Sequence, residues 1–326
     1  MDRDDLRLIR ALQLAPRAGF ARLGEVLGMH ERTVSRRYNA LRRQGIVRIF
    51  GVVNPLAVGL QLWNVRVRCR PDASESLAQA LSSRPDVAWV GVDLAGAEVA
   101  FAVRTLSEES RDLLVTRTLP RSAHVLDVEA SVVLHVFLGL GAHDWAGLRE
   151  VLSAAETEEV VACRPAESGG QVTLEPHDSA ILDVLAADGR ATTAEMAEAS
   201  GLSEGRAARR LATLLRTRTV VIDLDLAATE FGFHTRARLH LVVAPSRLHQ
   251  VGEALAAFPE IGFVAATSGR DNLMASVVCR DLDHLYELTT ARIGSIEGIA
   301  SMEIVLRRIV KQSGGLIADG RLVAPS

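Results

Sequence analysis

The segment 31–44 carries side chains suited to reading the edge of a nucleic-acid duplex. Arg32, Ser35, Arg36 and Asn39 recur at intervals of three and four, which places them on one side of a helix. A guanidinium can hold guanine O6 and N7 with two parallel hydrogen bonds, while hydroxyls and amides bind phosphate oxygens or base edges. Thr33, Arg37 and Arg43 lie near enough on the same helix to reach flanking phosphates. Arginines on a lone surface helix can be mere solvated charge. Here the turn Gly28-Met29-His30 precedes the helix and the β-branched run IVRIFGVV follows it, a context that favours contact. Residues 1–48 hold eleven arginines against five acids, a local +6 in a chain of net charge −3. The distribution of charge, not its sum, draws phosphate.

A second copy of this pattern supplies Arg206, Arg209 and Arg210. Residues 174–221 hold six arginines against seven acids, or −1, and Arg218 stands where the first copy has Gly45. This copy either grips phosphate or serves packing and dimerisation, and the first is expected to dominate affinity.

Two glycine-bearing turns could hold a small zwitterion. They are Asp93–Glu98, with Gly96, and Thr267-Ser268-Gly269-Arg270-Asp271-Asn272. Amide N–H groups at the glycines can take a carboxylate, and Asp93, Glu98 and Asp271 an amine. The same residues are ordinary turn formers, so both readings stand. Elsewhere the histidines are scattered, and the three cysteines are far apart and odd in number. No catalytic residue, metal site, cofactor or disulfide framework is expected. Without a signal peptide or an apolar run of membrane-spanning length, the expected location is the cytoplasm, beside the nucleoid.

The elements that must position these residues form a repeat. A shift of 173 places Asp5 on Asp178, Leu12 on Leu185, Gly28 on Gly201, Arg36-Arg37 on Arg209-Arg210 and Gly59 on Gly232. A shift of 174 places Pro85 on Pro259, Trp89 on Phe263 and Glu129 on Glu303. Each unit opens with three short helices, at 4–14, 20–27 and 31–44 in the first copy, then a strand or β-hairpin: a winged helix-turn-helix. The order β-α-β-β-α-β follows, at 62–69, 74–83, 87–94, 98–104, 107–119 and 125–137, a ferredoxin-like arrangement. Both helices on one face leave the other sheet face bare. Val, Leu and Ile fill both phases of several strands, so that face should be apolar and bury against the repeat's sheet. The expected division is 1–53 and 174–226 (winged helices), 60–137 and 233–311 (α/β domains), a linker at 138–173 with a short helix near His143–Thr157, and a loose tail at 312–326.

The run GMHERTVSRRYNALRRQGIVRIFGVVNPLAVG, at 28–59, resembles the Lrp/AsnC, or feast-famine, regulators. GLSEGRAARRLATLL resembles the same segment less well, and TSGRDNLMASVV resembles the Thr-Gly-x-x-Asp hairpin of the family's sensor domain. The resemblance implies an α+β chain with two copies of a winged helix-turn-helix followed by a ferredoxin-like, RAM-type sensor domain. It also implies operator binding on double-stranded DNA, a small effector of the amino-acid class at the sensor interface, and homo-oligomers. Sirohaem decarboxylases look similar and also occur as fused pairs. Histidine-rich strands are expected of them, and VAWVGVDLAGAEVAFAV and IGFVAATSGRDNLMASVV contain none. A metabolite sensor acting without DNA is a third reading, disfavoured by the +6 of the N-terminal segment.

Overall fold

The computed structural model describes residues 1–326 except 105–108, 110–112, 140–144, 169, 171, 313–314 and 324–326. Three helices open the chain: α1 (Arg3–Leu14), α2 (Phe20–Leu27) and α3 (Glu31–Arg43). Asp2 caps α1 in a reciprocal box with Asp5, and Gly28, at φ 68°, ends α2 in the left-handed conformation a side chain would strain. Leu8, Ile9, Leu12, Leu23, Val34 and Leu41 close a core beneath them. The second copy repeats this with α6 (Asp178–Ala187), α7 (Thr193–Ser200) and α8 (Glu204–Arg216), where Gly201 has φ 69°.

The expected wing differs. Strand β1 (Val47–Val53) forms no hairpin within its own unit; it pairs antiparallel with β6 (Val220–Leu226) of the other copy. Phe50 lies opposite Asp223, its own counterpart at a shift of 173, so a local two-fold axis passes through this ladder. Leu224 and Leu226 enter the core of the first three helices, and Gly51 packs against Leu185 of the second set. Arg17 donates to the carbonyls of Gly189 and Ala191, and Arg190 to those of Pro16 and Ala18, a reciprocal clasp about the same axis.

The α/β halves follow the expected order. The first comprises β2 (Trp63–Cys69), α4 (Ser74–Ser82), β3 (Val87–Asp93), β4 (Glu98–Val103), a π-helical turn (Leu113–Thr118) and β5 (Val125–Leu138). Most of the first half of the helix expected at 107–119 lies outside the described residues. The second comprises β7 (Thr235–Val243), α9 (Leu248–Ala256), β8 (Ile261–Thr267), β9 (Leu273–Cys279), α10 (Leu282–Glu287) and β10 (Ile299–Gln312). Each sheet's outer strand pairs with the other: β5 with β8 and β10 with β3. Val133 opposite Thr267 and Arg307 opposite Asp93 are again repeat equivalents. Eight strands thereby close into a ring within one chain, which removes the exposed edges either sheet would have alone.

The inward face of this ring is mixed where an apolar face was expected: Leu62, Val133, Ala265 and Met274 form a small apolar cluster on it, beside polar and charged groups. Val65, Val67, Leu239 and Leu241 face the helices, whereas the alternate positions Asn64, Arg66, Glu98, Arg238, His240 and Arg307 are buried or half-buried on the opposite side.

The segment 138–173 is also more than a connector. Its helix α5 (Ala154–Val161) starts later than expected, where Ser153 and Glu156 form a capping box. Leu148, Leu152 and Val160 join the core of the first three helices. The tail, expected to be loose, forms β11 (Gly315–Ala318) and β12 (Arg321–Leu322). The buried Leu322 donates its N–H to the carbonyl of Gly45 at the end of α3.

Candidate nucleic-acid interface and sensor cavity

Helix α3 buries Val34, Tyr38 and Leu41 and turns Arg32, Arg36, Asn39 and Arg43 to solvent. Thr33 and Ser35 are half-buried beside them. His30 caps the helix, its Nδ1 accepting from the Arg32 amide. Arg32 and Arg36, one turn apart, have no protein partner among the described residues; Arg43 donates only to the carbonyl of Asn39 on its own helix. The local +6 overstates this surface. Arg7, Arg10, Arg17, Arg22, Arg37, Arg42, Arg43 and Arg48, eight of the eleven arginines, bind carboxylates, side-chain amides or carbonyls of the protein itself.

Arg37 and Arg210, both expected to reach phosphate, are placed otherwise by the fold. Arg37 donates to Asp2 and Asp5, tying α3 to the start of α1. Its counterpart Arg210 holds the fully buried Asp178 and the carbonyl of Thr173. Burial pushes the Asp178 carboxyl up, but Arg210 and the Glu175 amide outweigh it and keep it below the usual range. On α8 the exposed guanidiniums are Arg206, Arg209 and Arg216. Arg218, at the Gly45 position, adopts a left-handed φ of 54° that a Cβ disfavours.

The two turns use much of their polar equipment internally. Asp93 Oδ1 accepts from the amides of Ala97 and Glu98, at 2.8 and 3.1 Å. Glu98, 7% exposed, accepts from Arg66 at 2.9 Å and Arg307 at 2.6 Å. In the second turn Thr267 donates to the Asp271 carbonyl, Ser268 accepts from the Val132 amide, and Asn272 clasps both backbone groups of Val243. Gly96 and Gly269 have φ of 70° and 103°, and Arg270 is exposed. Asp271 stands 3.8 Å from Arg66 and from His240, whose imidazole is pushed down to about 2 by burial and the surrounding guanidiniums. The space among these groups is about 10 Å³, room for one water.

A larger cleft, about 260 Å³, opens between the ring's interior and β6. Trp63, Trp89 and Phe263 line it with Arg104, Arg236, Arg238 and Arg307, and Asp223 and Asp225 contribute from β6. Sequence reasoning did not single out these residues. Part of their signal was legible: alternate arginines, Arg236 and Arg238, in TRARLHLVV, a strand otherwise apolar enough to be buried. Among the described residues no group of three His, Cys, Asp or Glu could hold a metal ion, and no helix is long and apolar enough to cross a membrane.

The fold thus joins paired helix-turn-helix modules to a small α/β core. The AsnC-type helix-turn-helix domain matches residues 1–42 and again 176–215, and the Lrp/AsnC ligand binding domain matches 237–314. The chain thus carries AsnC-type helix-turn-helix segments and an Lrp/AsnC ligand-binding domain, and the curated relatives it matches are HTH-type transcriptional regulators. An uncharacterised HTH-type transcriptional regulator of Pyrococcus abyssi is 28% identical over 146 residues, 44% of this chain and 92% of the relative. The HTH-type transcriptional regulator LrpA of the same organism is 25% identical over 140 residues, 42% and 99% respectively. Over most of its length the fold is similar to that of the siroheme decarboxylase NirDL, crystallised with an iron-uroporphyrin III analogue. The TM-score is 0.61 at 14% identity, covering 94% of this chain and 92% of that one.

Proposed function

We propose that this chain is a sequence-specific, DNA-binding transcription regulator in which two family units are fused in tandem, and that it responds to a small metabolite of the amino-acid class. Arg32 and Arg36 carry the reading: they stand exposed and unpaired on α3 while most neighbouring guanidiniums are engaged. The two-fold ladder of β1 and β6 relates α3 to α8, so the two readers address half-sites as a dimer would, roughly 34 Å or a multiple apart. Because α3 and α8 differ in sequence, the operator is non-palindromic. The effector is placed at the turns 93–98 and 267–272, whose tips Leu94–Ala95 and Gly269–Arg270 are exposed, and chains pair further into oligomers in the cytoplasm, beside the nucleoid. Gel retardation on DNA from upstream of the chain's own gene, at low salt, tests this. A retarded band that weakens steeply with salt is expected, and no retardation refutes the reading.

A second reading, a sirohaem-decarboxylase-like enzyme, is favoured by the fold likeness alone, and fold does not carry chemistry. Its test is visible absorbance after incubation with sirohaem: a stoichiometric bound spectrum supports it, and an unchanged protein spectrum removes it.

A further inference from the structure

The cleft between the ring and β6 holds an arrangement that the turns and recognition helices leave unused. Arg238 is 7% exposed and Arg307 4%. Arg238 stacks over Trp89 at 4.7 Å and lies 5.9 Å from Phe263; its polar contact is the Met274 sulfur at 3.9 Å, and no carboxylate faces it among the described residues. Arg307 reaches Glu98 through Nη2, while its Nε and Nη1 have no partner. Burial pushes Arg238 down to about 9, and the like charge of Arg307 adds to that. A buried guanidinium without a counter-charge is unfavourable in a water-excluded site, and two that repel one another are more so. Further out, Arg104 and Arg236 are half-buried cations, but Arg104 faces Asp223 and Asp225 and Arg236 faces Asp225, which offset their charge. The excess positive charge therefore sits at the Arg238 end of the cleft.

We propose that this cleft binds a small planar carboxylate, with the carboxylate on Arg238 and the unpartnered edge of Arg307 and the flat body among Trp63, Trp89 and Phe263. A carboxylate accepts two parallel bonds from a guanidinium, which accounts for the charge, and an aromatic or conjugated body suits the ring-lined wall. The volume of about 260 Å³ admits a ligand of one or two rings. The site adjoins the turns 93–98 and 267–272, through Arg307 on Glu98 and through Asn64 and Met274, which line both spaces, but its aromatic wall lies outside them. It also abuts β6 at Asp223, on the two-fold axis between the DNA-binding modules, so occupancy bears on the ladder that sets their spacing. That regulatory consequence rests on the regulator reading; the binding itself does not.

Isothermal titration of the full chain with 2-naphthoate, against the neutral 2-naphthalenemethanol, tests the site. One naphthoate per chain is expected, bound about tenfold or more tighter than the alcohol, the value of a charge-assisted pair. R238M should weaken naphthoate by about tenfold with R238K between it and the parent, and S276W, which fills the cleft, should abolish the heat. Equal binding of acid and alcohol, or unchanged naphthoate binding in either R238M or S276W, overturns the proposal. If circular dichroism shows R238M unfolded, S276W decides. Displacement of naphthoate by inorganic phosphate would overturn the requirement for a planar body. Gel retardation on the same preparations separates the two ideas: DNA binding without naphthoate binding sinks the cleft, and the reverse sinks the regulator.

Discussion

Two arginines in each helix-turn-helix, adjacent in sequence, have opposite roles. Arg36 and Arg209 point to solvent, while Arg37 and Arg210 turn back to the first helix of their module. R36A should lower operator affinity by about tenfold or more and flatten the salt dependence, and R209A should do so less, because its module is less basic. Quantitative gel retardation checks this, and equal losses would contradict it. R210M should instead destabilise the chain by about 3 kcal/mol at neutral pH, since it strips a buried carboxylate of its partner. The folded Asp178 carboxyl lies below its unfolded value, so its stabilisation is present above about pH 4 and is lost as pH falls through the folded value. The gap between wild type and R210M in urea melts should therefore narrow below about pH 4; a gap constant with pH would show that the ion pair is not its source. Arg218 gives the opposite sign. R218G relieves a left-handed backbone at the cost of a half-exposed pair with Glu167, for a net gain of about 0.5 to 1 kcal/mol in the same melts.

At the scale of elements, strand exchange replaces the expected wings. A lone two-stranded ribbon has little to bury, whereas β1 against β6 lets Leu224 and Leu226 complete the opposite helical core. The close approach needs small residues at the contact: a Cβ on Gly189 would lie 2.7 Å from the Phe50 amide nitrogen. G189A should thus destabilise by about 1 to 3 kcal/mol, the range for overpacking, and a thermal melt equal to wild type would contradict it. The tail is a second brace. Leu322 sits on the left-handed Gly45, and Arg321 pairs with Glu230. Deleting 315–326 should cost about 1.5 to 3 kcal/mol, the worth of one buried leucine side chain, measured as a lowered urea midpoint.

At the scale of the molecule, the two units do not sit side by side as beads. Each gives the other a strand partner at three places, β1 with β6, β5 with β8 and β3 with β10. Expressed separately, 1–173 and 174–326 would each leave these edges open. Each half should self-associate in light scattering, and mixing should recover a particle of the full chain's mass; halves that stay monomeric and inert to one another would argue against the interlock. The intact chain should unfold in one transition by both fluorescence and circular dichroism.

The sequence by itself determined the repeat, the α/β order and the helix ends. These follow from local causes: apolar periodicity, and glycines such as Gly28 that alone take the required φ easily; the start of the linker helix, set by Ser153 and Glu156, was missed. The exposed face of α3 was legible for the same reason, since Val34 and Leu41 fix which side is buried. Only the tertiary structure decided which arginines are available, because an ion pair such as Arg37 with Asp2 joins residues 35 apart, and sequence spacing carries no information on it. It also decided the strand partners and the cleft. Pairing β5 with β8 turns one face of each sheet inward, so charges that alternate along β7 converge with Arg307 on β10 in a space no single segment encloses.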